Sequence, residues 1–459
     1  MTGVEAGGKI PPTMRLGFHH LPVVLVVGLV FACGPRGSGF GNDGGADDAS
    51  TGTDGTIGFN LDGSGDVDTS CTQCSADLHE LLTCGDNPQV VQTCTGNQGC
   101  GPNGCIDACA AAAANKSSIG CDYYAIPSDA WSTTYDSGGA AGNCFAAFVN
   151  NNWSTDMNVT LVWKGQTING NDYAYLPKGA GASITYQKIP TTGIPPNSMA
   201  IVFLNDYKPG LGTLKCNCPA SVQAAVSGED MVIHSTTVGH AMEIKTSVPA
   251  VVYDIYPYGG ATSYISSATL LLPITAWDTN YIMTTMGEQP SAFPPGVDLI
   301  AQQDGTQVTV LPTQNITAGG GVAAATKGVP VTYSINKGQT IHIMQPVDGS
   351  GNDLTGSVVQ SNVPVGVWGE HFCMDQADPP PWRMVGLVDG TTLTYDPPVS
   401  GAPATINQSQ LVEFTGPAAF HVKAQDEKHP FYLAARRPGG DCDAAHQQIP
   451  PIKALGSDY

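Results

Sequence analysis

The densest group of side chains that could do chemistry lies late in the chain. Glu370, His371 and Cys373 are nearly consecutive, and Asp375 and Asp378 follow shortly after them. Carboxylates beside a histidine can act as a general acid and base, and the same groups can bind a metal ion. In an exported protein Cys373 is expected to form a disulfide bond rather than to act as a nucleophile.

A second candidate is the pair His234 and His240, which are six residues apart with Glu243 nearby. Two facing imidazoles could bind a metal ion, but no third ligand is evident. The intervening Thr-Val-Gly is typical of a turn, which would place the two histidines across a hairpin. His446 is expected to have a structural hydrogen-bonding role.

Known catalytic motifs are missing from the sequence. It contains no His-Glu-x-x-His zinc helix, no Gly-x-Ser-x-Gly elbow, no Walker loop and no dinucleotide-binding glycine fingerprint after a strand. We therefore predict no catalytic residues, no metal site, no cofactor and no enzymatic activity.

The chain contains fourteen cysteines. A segment as short as residues 71–121 cannot bury a large apolar core, so we expect disulfide bonds to stabilise it. The Cys-x-x-Cys spacing at its start could also begin a zinc site, although no matching histidine pair follows. The cysteines of this segment are Cys71, Cys74, Cys84, Cys94, Cys100, Cys105, Cys109 and Cys121.

The later cysteines are expected to form disulfide bonds as well. We predict that Cys373 pairs with Cys442, and that either Cys216 or Cys218 pairs with Cys144. Fourteen cysteines minus a lipidated one, identified below, leave thirteen. This odd number requires either one free thiol or a partner outside the sequence.

The start of the chain resembles the signal peptide of a bacterial lipoprotein. Arg15 precedes an apolar run at residues 21–31, and the small residue Ala32 precedes Cys33. The run is about half as long as a membrane-spanning helix, as expected for an export signal. In lipoproteins the cysteine at this position carries the lipid, so Cys33 is the predicted lipidation site, with plain secretion as the alternative. Gly34, rather than Asp, favours the outer membrane, with the protein facing the exterior.

The composition limits the class of protein and of partner. The chain has 459 residues and a net charge of −21, and this acidic balance excludes nucleic acid as an expected partner. Only 12% of residues are charged, while 56 are Gly and 34 are Pro, which favours short strands joined by turns. Residues 34–70 are rich in Gly, Ser, Thr and Asp, and we predict a disordered tether there.

The strands that must position the candidate residues recur as an internal repeat. Alternating apolar residues flank turn signals such as Asp304-Gly305, as in β-hairpins. The copies comprise residues 298–312, 329–344 and 356–371; residues 384–398, 404–416 and 419–435; and, more loosely, residues 157–163, 175–186 and 242–256.

A second repeated marker has the pattern Pro-x-x-Ala-Trp/Leu-x-x-x-Tyr and begins at Pro127, Pro273 and Pro451. Tyr135 and Tyr281, which end the first two markers, each precede a further β unit. Because Tyr459 is the last residue, we expect the sequence to be truncated inside its repeat array.

These patterns predict an all-β protein. Its expected architecture is a series of tandem antiparallel β repeat modules, sandwich-like or alternatively propeller-like, after a small disulfide-rich module. The predicted organisation is a lipoprotein signal peptide at 1–33, a disordered tether at 34–70, a cysteine-rich disulfide module at 71–121 and a β-repeat domain at 122–459.

Aromatic residues suggest a binding function, because aromatic side chains on loops are common at protein and glycan interfaces. The alternative is that most of them fill the core, especially Trp131 and Trp277. The tyrosines around Gly259-Gly260 are the main binding candidates: Tyr253, Tyr256, Tyr258 and Tyr264.

Several segments of the chain resemble a known family. They include CTQCSADLHELLTC, SNVPVGVWGEHFC, DGTTLTYDPPVSG and CDAAHQQIPPIKALGSDY. These resemble the large secreted lipoproteins of myxobacteria, whose β-rich region is similar to the N-terminal domain of the IgG Fc-binding mucus protein. The resemblance spans roughly residues 71–459, and it implies adhesion or ligand binding rather than catalysis.

Two functional hypotheses follow. The first is a non-catalytic lipoprotein, held on the membrane by its lipid, that binds a protein or glycan ligand at the cell surface. The alternative is an exported hydrolase with a loop-borne site near Glu370, His371 and Asp375.

Overall fold

Antiparallel β-strands form nearly all of the regular structure in the computed structural model of this protein. The structure describes residues 71–85, 87–129, 143–207, 216–259, 267–285, 295–347, 350–374, 381–416, 420–435 and 443–455. These residues belong to one compact unit that extends from Ile57 to Tyr459. The predicted signal peptide and tether, with Cys33, lie outside the described residues. No helix in the described part is long and apolar enough to cross a membrane.

The cysteine-rich segment is crosslinked within itself. The bonds are Cys71–Cys84, Cys74–Cys100, Cys94–Cys105 and Cys109–Cys121. Its strands are short and form a three-stranded sheet and a hairpin: β1 (Thr72–Cys74), β2 (Glu80–Thr83), β3 (Val90–Thr93), β4 (Gln98–Gly101) and β5 (Gly104–Asp107).

A helix that the sequence analysis did not predict joins this segment to the repeats. Helix α1 (Ala108–Asn115) begins where the Asp107 carboxylate accepts a hydrogen bond from the Ala110 amide, and it ends at Lys116 in the left-handed conformation. Ala108 and Ala112 are buried in the core of the first repeat unit. The disulfide-rich segment therefore packs against the repeats.

Unit 1 is a nine-stranded sheet in the order β11-β10-β12-β7-β14-β8-β9, with β6 and β15 also paired to β14. Its strands are β6 (Gly120–Ala125), β7 (Phe145–Asn151), β8 (Val159–Trp163), β9 (Gln166–Asn169), β10 (Ala174–Lys178), β11 (Thr185–Lys188), β12 (Ser198–Asn205), β14 (Met242–Tyr256) and β15 (Ser267–Leu270).

Unit 2 is an eight-stranded sheet in the order β13-β20-β17-β21-β18-β19, with β16 and β28 also paired to β21. Its strands are β13 (Thr237–His240), β16 (Asp278–Ile282), β17 (Gly296–Ala301), β18 (Thr306–Leu311), β19 (Val331–Ile335), β20 (Gln339–Met344), β21 (Val358–Met374) and β28 (Asp443–Gln448). Strands β13 and β28 thus come from outside residues 278–374, which contain the other six strands.

Unit 3 lies between β21 and β28 in the chain and contains two three-stranded sheets. Strand β22 pairs with β25 and β27, and β23 pairs with β24 and β26. Its strands are β22 (Pro381–Gly386), β23 (Thr391–Asp396), β24 (Thr405–Ile406), β25 (Leu411–Thr415), β26 (His421–Ala424) and β27 (Phe431–Ala435).

The all-β prediction is confirmed: a disulfide-rich segment precedes tandem antiparallel modules, and the sheets are curled into half-barrels. The curl arises at the long strands β14 and β21. The first half of β14 lies between β6 and β8, and its second half lies between β15 and β7. Strand β21 repeats this arrangement with β16 and β18, then β28 and β17.

The repeat predicted from Asp-Gly turns has matching hydrogen bonds in units 2 and 3. The amide of Gly305 donates to Asn336 Oδ1 at 3.1 Å, and the amide of Gly390 donates to Asn407 Oδ1 at 2.9 Å. Both glycines have a left-handed φ, 68° and 70°, which other residues adopt only at a cost. Position 305 in unit 2 therefore corresponds to position 390 in unit 3.

Units 1 and 2 are related by a buried tyrosine. The hydroxyl of Tyr123 donates to the carbonyl of Ala250 at 2.6 Å, and that of Tyr281 donates to the carbonyl of Val365 at 2.6 Å. The structural counterpart of Tyr281 is thus Tyr123 and not Tyr135, so the first sequence marker is offset from the second. Residues 130–135 of the first marker lie outside the described residues.

Each of these tyrosine hydroxyls is expected to stabilise its unit. Replacing Tyr123 or Tyr281 by Phe leaves a buried carbonyl without its donor, and this should lower the free energy of unfolding by about 1–3 kcal/mol per variant. Urea unfolding followed by fluorescence would measure the change. The control Tyr253→Phe alters an exposed tyrosine and should stay within about 0.5 kcal/mol of wild type. Equal effects at all three positions would contradict this account.

Candidate functional site

The residues predicted for a hydrolase site are buried where unit 2 meets unit 1. Glu370 and His371 lie on β21 and are 4% and 1% exposed. Asp375 and the Cys373 side chain lie outside the described residues. Because water and substrate must reach a hydrolytic carboxylate, this burial argues against the hydrolase hypothesis for Glu370 and His371.

Strand register brings two further polar residues to Glu370. Asp298 on β17 is directly opposite His342 on β20, and Gly296, two residues earlier on β17, is opposite Glu370 on β21. Residues at positions i and i+2 of a strand share a face, so Asp298, His342 and Glu370 project to the same side of the sheet. We call these three residues the buried cluster.

The side chains of the buried cluster are in direct contact. His342 Nδ1 is 3.0 Å from Asp298 Oδ1, and His342 Nε2 is 3.3 Å from Glu370 Oε1. The other oxygen of Glu370 accepts a hydrogen bond from the amide of Asp129 in unit 1 at 2.9 Å. The cluster therefore lies on the junction between the two units.

The junction continues into a second histidine in unit 1. His234 Nδ1 is 3.0 Å from Asp129 Oδ1, and His234 Nε2 is 3.4 Å from Asp230 Oδ2. The amide of Ser235 also donates to the Asp129 carboxylate at 3.1 Å. Asp129 is thus held on one side by His234 and touches Glu370 through its own amide.

Burial and charge act in opposite directions on these histidines. Burial alone lowers the pKa of His342, but the charges of Glu370 and Asp298 outweigh it and raise the pKa to about 10. His446 is opposite Glu370 on β28, and there burial dominates and lowers the pKa to about 4. Neighbouring imidazoles on one face therefore favour opposite protonation states.

Asp298 and His342 of the buried cluster belong to a set of cross-strand positions that recurs in every unit, which we call the interface row. In unit 2 the row is buried under unit 1: Trp368 packs in the core of unit 1, and Gln448 Oε1 accepts from the Leu272 amide at 2.5 Å. The rows are Ile201–Phe148–Tyr253–Leu270 in unit 1, His342–Asp298–Trp368–Gln448 in unit 2 and Glu413–Arg383–Ala434 in unit 3.

The row of unit 3 also lies at a junction between units. Its central residue is the cation Arg383, where unit 2 has the carboxylate Asp298. Arg383 Nη2 donates to Asp353 Oδ2 of unit 2 at 2.8 Å, and its Nη1 donates to the carbonyl of Thr285. Within unit 3, Arg383 Nε is 3.0 Å from Glu413 Oε1. Each later unit therefore uses its interface row to dock on the preceding unit.

The row of unit 1 is partly open to solvent. Tyr253 and Leu270 are 43% and 37% exposed, and Met199 beside the row is 40% exposed. The opposite end of this face is covered by the chain around the Cys144–Cys218 disulfide and by Tyr258. We call Tyr253, Leu270, Met199 and Phe148 the open face of unit 1.

Other predicted residues do not come together. His234 and His240 do not face each other across a hairpin, since residues 237–240 form β13 and pair with β20. His240 packs edge-on to Trp163, and Glu243 is 3.0 Å from both Lys245 and Lys337. The expected placement of the two histidines across a hairpin is therefore wrong, and each has its own separate contacts.

The structure also locates most of the remaining candidates. Cys144 is bonded to Cys218, and the Cys144 amide donates to the carbonyl of Cys216. The side chains of Cys373 and Cys442, and all of Trp131 and Tyr264, lie outside the described residues. Trp277 packs against Trp368 in the core, and Tyr256 and Tyr258 are buried, whereas Tyr253 is exposed.

Sequence reasoning missed Asp298, His342 and Asp129. Asp298 and His342 each interrupt an otherwise apolar strand, in VDLIA and TIHIM. A charged residue at a position where neighbours are buried is uncommon unless it has a partner. That pattern in the sequence indicates that each residue has a buried polar partner.

The His234 contacts should make stability depend on pH. Burial lowers its pKa, but hydrogen bonds to Asp129 and Asp230 raise it to about 9. A pKa raised by folding stabilises the folded state fully below about pH 6.5 and loses this effect as pH rises towards 9. In wild type the free energy of unfolding should therefore fall between about pH 6.5 and pH 9. Replacing His234 by Gln should make this fall about 1–2 kcal/mol smaller, a modest value because the side chain is partly exposed. Urea unfolding at several pH values would test this, and an unchanged slope would contradict it.

Comparison with known proteins gives one match. Residues 267–379 and 374–441 match a family model described as IgGFc binding protein. No curated protein and no solved structure matches the chain. The matched region contains unit 3 and most of unit 2, including the buried cluster, and it confirms the predicted resemblance to the IgG Fc-binding family for this part of the chain.

Proposed function

We propose that this protein is a non-catalytic lipoprotein of the cell surface that binds a protein ligand through the open face of unit 1. One observation carries the proposal: Tyr253 and Leu270 are exposed at row positions whose counterparts, Trp368 and Gln448, bind a neighbouring unit. The same position thus serves protein contact in unit 2 and is open in unit 1.

A protein ligand fits the open face better than a glycan does. The corresponding rows of units 2 and 3 both pack against folded β units, so this surface of the repeat is shaped for protein contact. Exposed aromatic and aliphatic side chains that lie side by side commonly mark such contacts. The family match supports the same class of function, because its name describes binding to the Fc region of IgG.

The proposal includes export and anchoring. The signal-like segment at 1–33 would deliver the chain, a lipid on Cys33 would hold it in the outer membrane, and the tether at 34–70 would extend the disulfide-rich module and the repeats outward. Five disulfide bonds among the described residues suit an oxidising compartment outside the cytoplasm. Adhesion to other cells or surfaces is the role that this arrangement would serve.

The open face can be tested by binding measurements. Immobilised protein is screened against IgG Fc, purified envelope proteins and a glycan array, and the tightest protein binder is titrated. Tyr253→Ser and Leu270→Ser should each weaken its binding at least about tenfold, as for central interface residues. Leu311→Ser is the matched control, since Leu311 is 40% exposed on unit 2. Binding of glycans alone, or equal loss in the control, would overturn the proposed surface.

The anchor can be tested by metabolic labelling with palmitate. Wild type should incorporate label and partition with the membrane, whereas Cys33→Ser should lose both properties. Cys216→Ser serves as control and should keep the label, because Cys216 lies inside a repeat unit. An unlabelled wild-type protein in the culture medium would favour plain secretion instead.

A further inference from the structure

We infer that the groove between units 2 and 3 binds a tryptophan side chain presented by a partner protein. The groove has a volume of about 450 Å³ and shares no lining residue with the open face of unit 1. Cavities of this size at the boundary between folded units are typical ligand sites. Unit 2 and unit 3 both line the groove, with residues that include Pro312, Gln314, Lys327, Asn352, Thr355 and Leu411.

The register of the strands identifies the equivalent place in unit 1. Ile244 on β14 is opposite Tyr123, and Val359 on β21 is opposite Tyr281, the counterpart of Tyr123. Ile244 and Val359 are therefore equivalent positions on the two long strands. Residues at equal distances along the chain from these two positions, or from the residues paired with them on the other side, correspond to each other.

This correspondence places a tryptophan of unit 1 at the position of a groove residue. On the other side of the long strands, β8 pairs with β14 through Leu161, and β18 pairs with β21 through Val310, at these same positions. Two residues further along the chain, unit 1 has Trp163 where unit 2 has Pro312. Because Pro312 lines the groove, Trp163 occupies the corresponding place in unit 1.

Unit 1 fills this place with its own indole. Trp163 is 7% exposed, and its ring packs edge-on against His240 with 6.1 Å between the ring centres. The indole Nε1 donates to Glu229 Oε1 at 2.6 Å, and the ammonium of Lys164 lies 5.4 Å from the centre of the ring. Strand β13, which carries His240, pairs with β20 of unit 2. The indole thus fills the space beside the junction of units 1 and 2.

Unit 2 has smaller residues at both positions of this ring contact. Pro312 replaces Trp163, and Thr355, four residues before the position on the long strand, replaces His240. Both Pro312 and Thr355 line the groove. A pyrrolidine ring and a hydroxyl group fill much less space than an indole and an imidazole, so the junction of units 2 and 3 is left with the groove. The open volume therefore corresponds to an aromatic side chain.

The rest of the lining suits an indole. Leu411 contributes a partly buried apolar side chain from unit 3. The Lys327 ammonium has no ion pair among the described residues, and it offers the cation–π contact that Lys164 makes in unit 1. The side-chain amides of Gln314 and Asn352 make no hydrogen bonds within the described part of the chain, so either can accept from the N–H of a buried indole.

A protein segment fits the groove better than a free indole compound does. The volume of about 450 Å³ exceeds that of one tryptophan side chain, which leaves room for the main chain beside it. Tryptophan is also among the residues most enriched at the centres of protein interfaces, where it fills a pocket on the partner. The partner is therefore expected to carry an exposed tryptophan on a loop or an extended segment.

Fluorine NMR of the processed full-length chain tests the groove. The probe is the amide of N-acetyl-fluorotryptophan, for which we expect saturable binding with a dissociation constant of roughly 0.1 mM, as for a ligand of its size. The amide of N-acetyl-tryptophan should displace the probe, and the amide of N-acetyl-leucine should not. An acetylated pentapeptide, Gly-Ser-fluorotryptophan-Ser-Gly, should bind at least about threefold tighter than the single residue because its main chain also contacts the groove.

Variants locate the bound probe. Pro312→Trp installs the residue that unit 1 carries and should weaken binding at least about tenfold, because its own indole occupies the groove. Lys327→Gln removes the cation and should weaken binding about two- to fivefold. Two controls should bind like wild type: Val91→Trp, which adds an indole to the disulfide-rich segment, and Lys178→Gln, which alters an exposed lysine of unit 1. Tyr253→Ser should also bind like wild type, so the groove and the open face can fail separately.

Three results would overturn the inference. They are a wild-type protein that does not bind the probe, a Pro312→Trp variant that binds as tightly as wild type, and a pentapeptide that binds no tighter than the single residue. The last result would assign the groove to a small indole compound instead of a protein. Circular dichroism shows whether Pro312→Trp is folded, and if it is not, equal binding by Lys327→Gln and wild type refutes the site.

Discussion

The pairing of one long, bent strand with two sets of neighbours is the constraint on which the rest of the structure depends. In β14 and in β21, each half of the strand has its own pair of partners, and a buried tyrosine hydroxyl ties the bend to the adjoining edge strand. Once this register is set, the residues that share the outer face are set with it. A slip by one residue would turn the face inward, so the register determines which chemistry each unit presents.

The interface row shows how one backbone arrangement carries three kinds of chemistry. Unit 1 has apolar and aromatic residues there, unit 2 has a histidine–aspartate pair, and unit 3 has an arginine–glutamate pair. Buried charges of this kind contribute little net stability, because desolvation offsets their attraction. They do specify the partner, since a row with the wrong charge would leave an uncompensated ion in the junction. The side chains of the interface row therefore determine which unit packs against which.

The sequence was a good guide wherever the signal was local. The Asp-Gly turns at Gly305 and Gly390, the alternating strands and the disulfide-rich segment all follow from short-range patterns. It also singled out Glu370 and His371, but it assigned them to a loop-borne site because burial depends on which unit covers a face. The pairing of residues 237–240 with β20, and the meeting of Asp129 with Glu370, join residues far apart in the chain. Helix α1 was not predicted because a run of alanines carries no periodic pattern of apolar and polar residues.

The strand exchange around unit 2 has a mechanical consequence. Strand β13 is supplied by the chain of unit 1, and β28 returns to β21 only after the whole of unit 3 has been traversed. Unit 3 is thus inserted in the chain between two strands of unit 2. The sheet of unit 2 is completed by β13 and β28, which lie before and after the rest of its strands in the sequence. A pull along the chain cannot extend one module while its neighbours stay intact, because the load passes through shared sheets. The repeats therefore bear a pulling force together, whereas independent tandem domains unfold one after another.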